Sequence, residues 1–223
     1  PMKFILILLL FVLNTDINTS LIAQSISGKI ILPANAVKSV KRGPYGKPAA
    51  VKNSGSDSDQ IKQSIIVWIE SDIEQEIKTE TSEIPVLNQK EIQFEPRLIV
   101  IRQGEKVKIT NNDPVYHNVF SLSSVKKFDI GRRIKGESVD VAFEKPGIVT
   151  IFCDIHSHMN AEIIVLSHKT NQWITASTDG SFEFTNLSKS GYTLHAYSPG
   201  FKEFTKEIKQ SESPLNLTIT LEK

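Results

Sequence analysis

The chain of 223 residues has a single cysteine, Cys153, which excludes an intramolecular disulfide and the paired cysteines that structural zinc sites use. It also lacks an excess of either charge. Its 26 Lys and Arg stand against 25 Asp and Glu, a net charge of +1, so electrostatics makes no case for nucleic acid or a strongly charged partner. Long apolar runs are missing as well: Phe4 to Leu13 spans ten residues, well short of the about 20 that a bilayer-spanning helix needs. Helical periodicity is nearly absent, which argues against helical bundles and against parallel sheets with helical crossovers.

The short apolar run follows Lys3 and leads into a polar stretch that ends Ser20-Leu21-Ile22-Ala23-Gln24. This is the layout of a secretory signal peptide over residues 1–23, with cleavage near Ala23, so membrane contact is expected only through that transient segment. The expected location is periplasmic, extracellular or on the cell surface. Export bears on Cys153, because exported chains pair their cysteines or avoid them. A lone buried thiol can act as a small hydrophobe, but metal ligation explains it better in an oxidising compartment.

Turn residues and short alternating strands fill the rest. Ser25 to Leu32 reads as a strand, and residues 33–63, which include KRGPYGKPAAVKNSGSDSDQ, read as a mobile loop. Ser64 to Glu70 is a continuous apolar run, the pattern of a strand buried on both faces. From Val86 the strands shorten: Ile92 and Phe94, Leu98 to Ile101, Val107 and Ile109, then the turn Asn111-Asn112-Asp113-Pro114. Val139, Val141 and Phe143 alternate, Lys145-Pro146-Gly147 turns, Val149, Ile151 and Cys153 share one face, and Ile163 to Leu166 closes the set. A second β pattern follows, with Trp173 to Thr178, the hairpin dipeptide Asp179-Gly180, Phe182 and Phe184, Tyr192 to Ala196, and Leu215 to Leu221. The expected fold class is all-β.

The densest chemistry lies in CDIHSHM, residues 153–159. A type 1 copper site needs two imidazoles and a thiolate in a roughly trigonal plane with a weak axial thioether. Cys153, His156 and Met159 supply C-x-x-H-x-x-M at the end of a strand. The fourth candidate is His117, 36 residues upstream in DPVYHNV, just past the turn that ends another strand. The alternatives are a turn histidine at 117, a core-filling Met159, a zinc site and a Cys/His nucleophile pair. Zinc usually shows more cysteines, and Cys153 lacks the helix N-terminus that activates a catalytic thiol. His158 is expected to face solvent, and His168 and His195 to be structural.

IQFEPRLIVIRQGEKVKITNND, then HNV, then KPGIVTIFCDIHSHM resemble the cupredoxins of the plastocyanin and amicyanin branch, and the C-x-x-H-x-x-M loop is most similar to amicyanin. The resemblance implies a Greek-key sandwich over residues 86–167 that binds one type 1 copper through His117, Cys153, His156 and Met159. It further implies that Asn118 ties its loop to the Cys153 loop by hydrogen bonds, and that His156 is the ligand nearest the surface. Ser157 departs from similar loops, which often carry proline there.

SISGKI, SIIVWIE, TASTDGSFEFTNL, GYTLHAYSPGFKE and LNLTITLE resemble one carboxypeptidase regulatory-like, or transthyretin-like, sandwich. About a hundred residues separate its second and third pieces, so residues 25–85 and 168–223 are expected to form one discontinuous domain around the inserted copper domain. The whole arrangement is similar to exported bacterial proteins labelled methylamine utilization proteins. The resemblance implies one-electron transfer between exported redox partners rather than an enzyme. The alternatives are a copper-sequestering or copper-sensing protein, a surface binding module on the same scaffold, and a small copper enzyme in which a carboxylate replaces the axial thioether.

Overall fold

A computed structural model of the protein describes residues 24–33, 64–71, 83–188, 191–209 and 214–223. The expected signal peptide and residues 34–63 of the expected loop lie outside these residues. All regular structure among the described residues is β. The strands are, in chain order, β1 (Gln24–Ile31), β2 (Ile66–Ser71), β3 (Val86–Lys90), β4 (Gln93–Glu95), β5 (Leu98–Arg102), β6 (Lys106–Asn111), β7 (His117–Ser121) and β8 (Phe128–Arg133). There follow β9 (Ser138–Ala142), β10 (Gly147–Cys153), β11 (Asn160–Leu166), β12 (Thr170–Thr175), β13 (Ser181–Leu187), β14 (Tyr192–Tyr197), β15 (Phe204–Ile208) and β16 (Leu215–Thr220).

Two pairs of sheets enclose separate cores. In the central sandwich, β4-β3-β6-β9 faces β5-β11-β10-β7-β8. The residues that alternate inward meet there: Val107 and Ile109 of β6, Val149 and Ile151 of β10, Phe94 and Phe143, all buried in one cluster. In the flanking sandwich, β13-β1-β16 faces β12-β2-β14-β15. β1 runs antiparallel to β13 and parallel to β16, while β2 is antiparallel to both β12 and β14. Strands from both ends of the chain thus build one pair of sheets, whose core joins Ile26, Ile30, Phe182 and Phe184 to Val67, Ile69 and Leu194.

The unbroken apolar run of β2 follows from its position. Val67 and Ile69 point into the flanking core, while Ile66 and Trp68 turn the other way and pack with Tyr197 against Ile164 and Leu166 of β11. β11 has the mirror-image problem, with Ile163 and Val165 in the central core and Ile164 and Leu166 at this junction. A strand that buries both faces cannot alternate apolar with polar. Polar ties rim the contact: the Ser167 hydroxyl donates to Glu70 at 2.6 Å, Arg102 donates to the Thr170 carbonyl at 3.2 Å, and the Tyr197 hydroxyl donates to Glu162 Oε2 at 2.8 Å.

Glu162 makes the junction sensitive to pH. Burial raises its carboxyl above the ordinary value, only partly offset by the Tyr197 hydrogen bond and the charge of Arg97. A carboxyl raised on folding holds its proton more tightly in the folded state, so its contribution to stability falls as pH rises from the unfolded value through the folded one. Glu162→Gln keeps an acceptor for Tyr197 and removes the charge. The expected result is a higher thermal midpoint than wild type at pH 7, with a difference that shrinks as pH falls through the acid range. Melting curves at the two pH values check this.

Several local expectations are corrected. β8 was not anticipated: its alternating Phe128 and Ile130 sit among Lys126, Lys127, Arg132 and Arg133, the composition of an exposed sheet edge. The strand expected at Trp173 to Thr178 runs instead from Thr170 to Thr175, because Ser177 pairs with Ser181 to close the following turn. Ile92, expected in a strand, occupies the β3–β4 turn. His195, read as a structural residue without partners, stacks on Trp68 at 4.8 Å between ring centroids and lies 2.7 Å from Glu203.

Candidate metal centre

The alternation that places Val149 and Ile151 in the central core ends at Cys153, the last inward residue of β10, so its thiol lies inside the end of the sandwich. β7 runs antiparallel beside β10 with Val119 opposite Cys153. His117, two residues before Val119, therefore shares its inward face and lies just beyond the end of β10. The 154–159 loop turns back at this end, held by hydrogen bonds from the Met159 N–H to the His156 carbonyl at 3.0 Å and from the Cys153 N–H to the Met159 carbonyl at 3.3 Å. That reversal brings His156 to the same point.

Three donor atoms converge. Cys153 Sγ lies 3.7 Å from His117 Nδ1 and 3.8 Å from His156 Nδ1, and the two nitrogens are 3.1 Å apart. Ligands about 2.0 Å (N) and about 2.3 Å (S) from a central ion in a trigonal plane would be separated by about 3.5 Å (N to N) and about 3.7 Å (N to S). The observed triangle has this size, with its nitrogens drawn slightly together. His117 and Cys153 are buried, at 0% and 4% exposure, and His156 is partly exposed. Burial, reinforced by the neighbouring His117 and His158, holds the His156 imidazole below its ordinary value, which favours the neutral ring that a metal needs. Met159 is buried in the central core at the end of the same loop. The donor set therefore fits a soft, thiolate-binding metal such as copper.

The group His117, Cys153 and His156 does not include His158, whose exposed ring meets the Ile92 carbonyl at 3.0 Å. Asn118 does not make the hydrogen bonds expected of it. It is buried, and among the described residues its Oδ1 has no hydrogen-bond partner. The Cys153 loop is closed by its own backbone bonds instead.

Two residues expected only to form a turn do more. Asn111 is fully buried. Its Oδ1 accepts from the Asp113 N–H at 2.8 Å, while its Nδ2 donates to the carbonyls of Val115 and Arg133, each at 2.9 Å. This is the turn that Asn offers to a residue two positions on, and it sets the path into His117. Asp113 lies 2.8 Å from His117 Nε2 and accepts backbone N–H bonds from Glu91 at 2.6 Å and Ile92 at 2.9 Å. Burial alone would raise its carboxyl, but the bonds from Ile92, His117 and Glu91 outweigh it and hold the group below its ordinary value. An ionised carboxylate only accepts, so this contact favours a proton on His117 Nε2 and leaves Nδ1 facing the centre. Glu91 and Ile92 have φ of 54° and 57°. This region is strained for a β-branched residue and costs on the order of 1–3 kcal/mol. The signal for this role was the Asn-x-Asp sequence four residues before a candidate ligand.

Residues 83–166 match the family of copper binding proteins described as the plastocyanin/azurin family. This segment resembles a cupredoxin domain. Solved structures similar to the chain include a reduced mutant of amicyanin, at 18% identity and TM-score 0.36, covering 39% of this chain and 86% of that one. A purple cupredoxin from Nitrosopumilus maritimus is similar at 20% identity and TM-score 0.34, covering 36% of this chain and 98% of that one. A copper-containing nitrite reductase from Thermus scotoductus is similar at 22% identity and TM-score 0.36, covering 39% of this chain and 23% of that one. A comparison with curated proteins found no match. The matched segment is the part of the protein that holds the candidate centre.

Proposed function

We propose that the protein is an exported electron carrier in which one type 1 copper ion, held by His117, Cys153, His156 and Met159, passes single electrons between exported redox partners. The observation that carries this reading is the convergence of two imidazole Nδ1 atoms and a buried thiol, from segments 36 residues apart, at the spacing a trigonal metal requires. Copper supplies a one-electron couple between its +1 and +2 states. The chain would hold it with the Cys153 sulfur, the Nδ1 atoms of His117 and His156, and the Met159 thioether. Because strands and a backbone-closed loop fix these side chains, little rearrangement accompanies a change of charge. His156 is the partly exposed member, beside exposed Ile155, and is the edge through which an electron would pass. The flanking sandwich, read as a carboxypeptidase regulatory-like module, serves docking or display and not a reaction. Export rests on the signal-peptide reading of residues 1–23.

Voltammetry of the copper-loaded mature protein tests the proposal. A reversible one-electron wave is expected. Tight copper binding without a reversible wave would overturn the carrier reading in favour of sequestration or sensing.

A further inference from the structure

We propose that Asp113 is a positioning residue that fixes the metal-facing tautomer of His117 and, through its negative charge, biases the centre toward Cu(II). The bias rests on the copper reading above, whereas the hold on His117 does not.

The geometry around Asp113 is built for an anion. The side chain is 6% exposed, and among the described residues His117 is its only side-chain ion partner. Oδ1 accepts from the Glu91 N–H, and Oδ2 accepts from the Ile92 N–H while facing His117 Nε2. Both amides belong to consecutive residues of positive φ, a backbone form that aims two N–H groups at one point. The β3–β4 turn holds this form although Ile92 is poorly suited to it, with His158 meeting the Ile92 carbonyl from the metal loop. Asn111 anchors the Asp113 backbone from the other side. Three segments thus hold one carboxylate against the far nitrogen of a single imidazole.

A neutral amide at this position would offer Nε2 a donor as well as an acceptor, so it would not fix the tautomer. A carboxylate adds negative charge beside the ring and makes it a stronger donor, and this kind of partner is worth about 10–100-fold in metal affinity. The extra donation favours the more highly charged ion, so it separates the affinities for Cu(II) and Cu(I) and lowers the reduction potential. A purely structural Asp113, serving only to clamp the β3–β4 turn, would do neither.

The test compares Asp113→Asn with Ile92→Gly. Glycine adopts φ near 57° without strain and keeps both N–H donors, so Ile92→Gly relieves the turn and leaves the carboxylate in place. Nitrogen-15 NMR of the copper-free protein is expected to show His117 protonated on Nε2 in wild type and in Ile92→Gly, and in mixed tautomers in Asp113→Asn. With copper, Asp113→Asn is expected to lower the Cu(II)-to-Cu(I) affinity ratio about tenfold, a rise in potential of about 59 mV, while Ile92→Gly keeps the wild-type value. If Asp113→Asn alone does not fold, the double variant with Ile92→Gly carries the same comparison on a turn that no longer needs the clamp. Unchanged tautomer and unchanged potential in the Asp113→Asn background overturn the proposal, as do equal shifts in both single variants. A wild-type protein without a reversible copper couple overturns the electron-transfer reading and, with it, the bias toward Cu(II). The copper-free tautomers then still decide whether Asp113 holds His117.

Discussion

Cys153→Ser is expected to abolish the intense visible absorption of the Cu(II)-loaded protein while leaving the fold intact. The band arises from transfer of charge from a thiolate sulfur to copper, and a serine hydroxyl, which stays protonated near neutral pH, has no counterpart to it. The substitution is nearly isosteric at the end of β10, where the sulfur lies 3.7 Å and 3.8 Å from the two imidazole nitrogens. The stability cost is therefore small, about 1 kcal/mol. The effect on copper is large, because a direct ligand is removed, and it should exceed the about 10–100-fold loss that follows removal of an outer partner. Survival of the band in the serine variant would mean that another group holds the metal and that the triangle of His117, Cys153 and His156 is not the site.

Gly28→Val is expected to destabilise the flanking sandwich by roughly 3 kcal/mol, seen as a fall in its thermal midpoint on the order of 10 °C. Gly28 lies in the middle of β1 with Phe182 on one side and Leu217 on the other. A Cβ built there would collide with the Leu217 carbonyl oxygen and would stand 2.8 Å and 2.9 Å from two atoms of the Phe182 ring. The ring could swing aside at some loss of packing, but the carbonyl belongs to the paired backbone of β16 and could not. The damage should stay local, since the central sandwich has its own core: at low temperature the copper absorption of the variant should match wild type. An unchanged midpoint would contradict the placement of β1 between β13 and β16.

How far these features could be read in advance depended on whether they followed from periodicity or from contacts between distant segments. Val149, Ile151 and Cys153 alternate, so both the strand and the inward aim of the thiol were visible in the sequence. Ser64 to Glu70 announced a strand buried on two faces, though only the structure shows that its second face meets Ile164 and Leu166. Ile92 looked like a strand residue because it is β-branched and two positions from Phe94. Its turn conformation is set by Asp113, 21 positions away, which no local preference reveals. For the same reason Asp113 passed for an ordinary turn residue and His195 for one without partners. Asn118 was assigned a tie by resemblance, and in this chain the backbone of the 153–159 loop makes that closure itself.

The measurement that bears most directly on the central claim is the EPR spectrum of the wild-type protein loaded with one equivalent of Cu(II). A centre made by two imidazoles, a thiolate and a weak thioether gives narrow parallel hyperfine splitting together with the intense thiolate absorption. A colourless protein with the wide splitting of ordinary tetragonal copper would contradict it.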